Sequence, residues 1–203
     1  MTKTKLFTWL MVPVVLLMGW LVYDSIFSVI NEAEAIKKAE KKVVEKLKQI
    51  RKAEVAYFNK YKTYTADWDS LVTFIKEDTI YTVERTEIIT PRTKNDPLYY
   101  TRTDSVRIEE DTIGRELAIK KLFPIAEYPN FNPERLPYLP GRDTATFEIW
   151  ADTLRKGQVL VNAIEVVDSD PRDPTRNDND ERRVRWRLRF GSKYDATTSG
   201  NWE

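Results

Sequence analysis

The chain contains no histidine and no cysteine. Without cysteine there is no disulfide framework, no thiolate nucleophile and no Cys-ligated metal. Without histidine the commonest general base, the usual acyl-transfer dyads and the commonest zinc ligand are missing. Catalysis would have to rest on carboxylates, lysine or tyrosine, and no such set converges in the sequence. With only six glycines in 203 residues, no Gly-rich phosphate loop appears either. A charge of one sign is also lacking: 33 basic and 32 acidic residues leave a net charge of +1, unlike the strongly basic domains that bind nucleic acid. The expectation is a non-enzymatic chain with no cofactor, no resident metal, no small-molecule substrate and no nucleic-acid partner.

What is present is a mounting. Leu6 to Tyr23 carries no charge, and eighteen residues at 1.5 Å rise span about 27 Å, close to a bilayer's hydrocarbon core. Trp9 and Trp20 stand near its ends, as interfacial aromatics do, with Tyr23 closing the run. Pro13 and Gly19 lie inside it, both better tolerated in membrane helices than in soluble ones. A cleaved signal peptide is the rival reading, but the run is long and no small-x-small site follows Tyr23. The reading is an uncleaved, single-pass anchor. Lys3 and Lys5 favour a cytoplasmic N-terminus, placing the C-terminal part outside the inner (cytoplasmic) membrane, in the periplasm.

The span runs straight into a charged helical pattern, with no Gly or Pro from Trp20 to Arg85. Ile36, Val43, Leu47, Ile50, Tyr57 and Tyr61 fall at spacings of seven, four, three, seven and four, one apolar stripe of helical period. The stripe can pack on the chain's own sheet or pair with other copies as a coiled coil, although Glu40 and Glu54 would interrupt that seam. The partners expected are the membrane and other envelope proteins or further copies of this chain.

Ile50 to Leu71, IRKAEVAYFNKYKTYTADWDSL, resembles the end of the long first helix of type IV pilins and secretion pseudopilins. In that family an apolar N-terminal half lies in the membrane, and an amphipathic second half leads through a Tyr-rich stretch to a sheet. The family's processing glycine is missing, since Lys5-Leu6 precede Phe7. So is its early assembly glutamate: counting Phe7 as first, the fifth residue is Met11. The resemblance implies an α+β, pilin-like helix packed on a small antiparallel sheet, in a protein that stays in the inner membrane.

Beyond the helix, Thr65 is the expected N-cap of a short helix, Ala66 to Lys76. Strands are predicted at Thr79–Thr90, Leu98–Glu109, Thr144–Thr153 and Gln158–Asp168, the last two as a hairpin around Leu154 to Gly157. Five prolines between Phe123 and Gly141, interleaved with Tyr128, Phe131 and Tyr138, read as a stiff strap that wraps the domain. A final strand, Arg183 to Phe190, alternates strictly. Val184, Trp186, Leu188 and Phe190 share one face, the expected seat of the helix stripe; Arg183, Arg185, Arg187 and Arg189 share the other. That arginine face either pairs with Glu148, Asp152 or Glu165 or offers a docking face to an acidic partner. The Asp-rich loop from Asp168 to Glu181 reads as solvated and not as a calcium loop, and the tail after Gly191 as frayed.

The organisation expected is an anchor over residues 1–30, an amphipathic helix over 31–64 and an extracytoplasmic α+β domain over 65–203. The function expected is a structural or adaptor subunit of a trans-envelope apparatus for secretion, pilus assembly or motility. The alternative is a free-standing accessory membrane protein that binds an acidic partner or anionic lipid through Arg183–Arg189.

Overall fold

Helix α1 runs unbroken from Lys3 to Tyr61, 59 residues, with Pro13 inside it. The structure, a computed structural model, describes residues 3–90, 105–177 and 186–203. The uninterrupted run of helix formers after Gly19 explains the continuity. From Met11 to Ala35 every residue is exposed, while Leu47, Ile50, Ala53 and Glu54 have no exposure. α1 is also long and apolar enough at its start to cross a membrane. One helix therefore has a bare half and a buried half, and the predicted stripe supplies the buried one.

α1 stops three residues before the predicted end. Lys62 takes a positive φ of 62°, and its carbonyl accepts from the Asn162 side-chain amide at 2.8 Å, tying the helix terminus to a distant strand. The next helix, α2 (Trp68–Glu77), is capped by Asp67, whose carboxylate accepts from the Ser70 amide at 2.9 Å. The expected cap, Thr65, is engaged elsewhere: its hydroxyl accepts from the Asp67 amide at 3.1 Å and its own amide donates to Glu54. Leu71, Phe74 and Ile75 turn the inner face of α2 onto α1.

β1 (Thr79–Thr90) has the predicted bounds and pairs antiparallel with β2 (Ser105–Leu117), in register from Thr79↔Leu117 to Thr90↔Ser105 with a shift between Thr82 and Val83. β2 outruns the predicted Glu109 by eight residues; residues 98–104 lie outside the described residues. A short helix, α3 (Ala118–Leu122), follows, and then the proline strap. The strap does wrap the domain: Phe123 is buried and stacks on Phe131 at 3.8 Å, with Tyr128 edge-on at 5.4 Å. The strap's 3₁₀ turn Pro133–Arg135 leads to β3 (Tyr138–Leu139), which pairs with β4 (Arg142–Thr146).

The last sheet has the order β5-β6-β7, with β5 at Glu148–Lys156, β6 at Val159–Val167 and β7 at Arg189–Gly191. The predicted meander is correct in order and direction, but two boundaries differ. Phe147 interrupts the single strand expected over Thr144–Thr153, because its amide turns away to donate to the Pro137 carbonyl at 2.8 Å. The hairpin turns at Gly157, which has a φ of +64°, leaving Leu154 to Lys156 inside β5. The third strand is also shorter than predicted: of the described part of Arg183 to Phe190, only Arg189 and Phe190 join the ladder. Trp186, Leu188 and Phe190 nevertheless all point inward, and Leu188 and Phe190 share one core with Leu47 and Ile50. Val184 lies outside the described residues.

The tail is not frayed. Asn201 accepts from the Arg189 amide at 3.0 Å and donates to the Arg187 carbonyl at 2.9 Å. Glu203 pairs with Arg51 of α1 at 2.6 Å, and Arg51 also lies over the Trp202 ring at 5.8 Å. Several modest contacts together cover the outer side of β7, which composition alone did not reveal.

Candidate functional site

Two regions could carry function: the bare half of α1, and the face where its buried half meets the strap and the loops. In the first, Leu6, Trp9, Pro13, Gly19, Trp20 and Tyr23 all lie in α1. Trp9 is 80% exposed and Trp20 64%, and Tyr23 lies tilted against Phe27 with centroids 4.1 Å apart. Large apolar side chains in a contiguous, unburied helix require an apolar medium or a partner surface.

In the second region, the helix stripe is partly as predicted. Leu47 and Ile50 are fully buried, and Val43 and Tyr57 pack against the core. Ile36 is only half-buried and lies outside the core cluster. Tyr61 is 48% exposed and acts through its hydroxyl, which donates to Asp78 at 2.6 Å while Lys60 pairs with the other Asp78 oxygen. That hydrogen bond to a carboxylate, with some burial, holds the Tyr61 phenol up at about 12. For Asp78, burial pushes the carboxyl up, but donation from Lys60, Tyr61 and the Thr79 amide outweighs it and keeps the pKa below the ordinary range. Asp78 thus pins the end of α1 to the α2–β1 junction.

Three buried acids went unread in the sequence: Glu54, Glu165 and Asp168, the last opening the loop expected to be solvated, where it accepts from the Asp170 amide at 3.1 Å and burial pushes its carboxyl up. Glu54 sits on the inner face of α1, with one oxygen accepting from the Thr65 amide at 3.3 Å and the other unpartnered. Burial pushes its carboxyl up to about 8, against the pull of the Thr65 hydrogen bond. Glu165 is buried on β6 and accepts from Arg189 at 2.9 Å.

Arg189 is therefore committed within the fold, and its guanidinium also lies over the Trp186 ring at 5.0 Å. Arg187 donates to Asn177 at 3.1 Å and faces Glu148 at 3.7 Å. The carboxylate pairing weighed for the arginine face is what these two residues do. Arg183 and Arg185 lie outside the described residues.

A groove opens where α1 passes the strap. Lys42, Glu45, Lys46 and Gln49, at helical spacing, form one wall; Arg135 and the strap aromatics Tyr128, Phe131 and Tyr138 form the other. Its volume is about 520 Å³. Further along α1, Lys52 holds its ammonium over the Phe123 and Tyr128 rings at 5.7 and 5.3 Å. Burial, and then the charge of Arg135, lower the Lys46 ammonium to about 8. A neighbouring hollow of about 260 Å³ shares Lys42 and the Leu139–Gly141 turn. Of its three arginines, Arg142 pairs with Asp170 and Arg176 with Glu40.

The described residues include no cluster of three or more acidic side chains placed to hold a metal ion. Compared with protein-family models, with curated proteins and with solved structures, the chain matches none, so its reading rests on the residues themselves.

Proposed function

We propose that the protein is a membrane-anchored, pilin-like structural or adaptor subunit of a trans-envelope apparatus, held in the inner membrane with its α+β domain in the periplasm. The observation that carries this reading is the division of α1: one unbroken helix is bare from Met11 to Ala35 and packs into the domain core from Val43 onward. Within it, the uncharged run up to Tyr23 is costly in water and stable in a bilayer. The likeness of Ile50 to Leu71 to pilin first helices supports the same reading. So does a groove beside α1 that is open to a partner.

Protease added to spheroplasts tests the topology. The domain should be digested along with a periplasmic control, leaving a protected N-terminal fragment. An intact domain beside a digested control overturns the reading. The alternative, docking through Arg183–Arg189, is less well supported because Arg189 serves Glu165 and Arg187 faces Glu148.

A further inference from the structure

We propose that the ribbon formed by β1 and β2 joins two copies of this chain edge to edge, β2 against β2 antiparallel, about a two-fold axis at Ile108. The contact lies outside the proposed function and does not depend on a membrane.

β1 and β2 make a sheet of their own, and among the described residues no further strand pairs with the outer edge of β2. The base of the ribbon rests on α2 and α3. Beyond Ile80 every described side chain of β1 is exposed, and so are Arg107, Ile108 and Glu109 of β2. β1 is twelve residues long, about 40 Å. A two-stranded ribbon bare along most of its length is marginal in water, and its unpaired edge is a template for another strand. Ile89 is 59% exposed and Ile108 45%, so apolar surface is left uncovered as well.

The sequence of the β2 edge complements itself. With Ile108 on the axis, Ile108 faces Ile108, and Arg107 of each copy faces Glu109 of the other. Glu110 then falls opposite Val106 and Asp111 opposite Ser105, so across 105–111 no like charges oppose. Neighbouring registers lose this match. An axis at Arg107 or at Glu109 sets like charges face to face, and an axis half a residue to either side sets Ile108 against Arg107 or Glu109. Arg107 and Glu109 already meet along their own strand at 3.3 Å. Both stay exposed, and a second copy completes a ring of alternating charge on that face.

The opposite face gains apolar cover. Ile108 pairs with Glu87, two residues from Ile89, so Ile89 and Ile108 are diagonal neighbours on one face of the ribbon. Pairing about Ile108 sets the two Ile108 residues side by side with an Ile89 beyond each, four isoleucines across a four-stranded sheet. Three or more strands with an apolar face are what a sheet needs to hold itself.

The chain has no cysteine, so single substitutions report on the axis. The full chain, purified in detergent, is oxidised mildly and run on a gel without reductant. On the axis the two Cα atoms stand about 4.5–5.5 Å apart, within disulfide reach; residues one step away lie about 8 Å from their own counterparts, beyond it. Ile108→Cys should therefore form disulfide dimer about tenfold faster or more than Arg107→Cys or Glu109→Cys alone, and a mixture of those two should crosslink with each other. Sedimentation equilibrium gives a second reading: Arg107→Glu should weaken self-association about tenfold, and adding Glu109→Arg should restore it. Recovery in the double variant, with an unchanged thermal melt, separates the contact from the fold. Monomer throughout, or equal crosslinking at all three positions, overturns the inference. A dimer indifferent to Arg107→Glu also overturns it, by assigning association to another face such as α1. Protease topology plays no part in these readings, so the proposed function and the ribbon contact stand or fall separately.

Discussion

Arg189 donates from Nη1 to Oε1 of Glu165 at 2.9 Å across the β6–β7 step, and the carboxylate it meets has no exposed surface. The second Glu165 oxygen has no partner among the described residues. Coulomb attraction in so dry a place offsets the cost of desolvating two charges only while both are present. Arg189→Gln should therefore destabilise the fold by about 3–5 kcal/mol, measured as a shift in urea midpoint at constant slope. Replacing both residues with methionine should restore most of that loss. If the single substitution costs less than about 1 kcal/mol, the pair is solvated and the assignment is wrong. Removing all four arginines to test docking would unfold the sheet first.

Glu54 makes stability depend on pH in a direction opposite to most acids. Its carboxyl titrates near 8 when folded against an ordinary value of 4.5, because burial disfavours the anion. Below the unfolded value both states are protonated and the neutral carboxyl contributes fully. As pH rises between the two values only the unfolded chain ionises, so stability falls by about 1.4 kcal/mol per pH unit, until above about 8 the contribution is gone. The other titratable group the carboxyl influences is the Tyr64 phenol, itself pushed up first by burial and then by the Glu54 charge. Glu54→Gln does not ionise, so its advantage over the wild type should grow across this window to as much as about 3 kcal/mol at pH 7. Thermal melts from pH 4 to 9 read this out, and a pH-independent difference would refute it.

Gly191 is the tightest backbone approach in the last sheet. Its φ is +77°, and a Cβ there would lie 1.9 Å from the Ile164 carbonyl oxygen. Backbone cannot yield as a flexible side chain can. Gly191→Ala should cost more than the roughly 1–2 kcal/mol of a left-handed residue alone and should detach β7 with its arginine. Hydrogen exchange should then quicken at the Val166 and Ser192 amides while α2 stays protected; unchanged exchange would contradict this close packing.

What was legible in the sequence follows from periodicity. The stripe through Leu47 and Ile50 and the alternation of Trp186, Leu188 and Phe190 needed only the helix and strand repeats; the structure buries all five and brings Leu47, Ile50, Leu188 and Phe190 into one core. Glu54 was illegible because in a helix so rich in charge an acid reads as solvated. Its burial depends on the chain folding back through Tyr64 and Thr65 over the same face. The groove was illegible for a related reason: Lys46 and Arg135 are brought together only by the course of the strap. Arg189 shows the limit of alternation itself, which identifies the outer side of a strand but not whether a tail such as Asn201 to Glu203 will cover it.

The unbroken α1 has a mechanical consequence. Fifty-nine residues at 1.5 Å form a rod about 88 Å long, with no glycine or proline between Gly19 and Tyr61 to act as a joint. A rod clamped at one end by Asp78 transmits twist and thrust applied at its bare end without losing them at a hinge. Any force that turns or pushes the bare end reaches the strap and its groove as the same displacement.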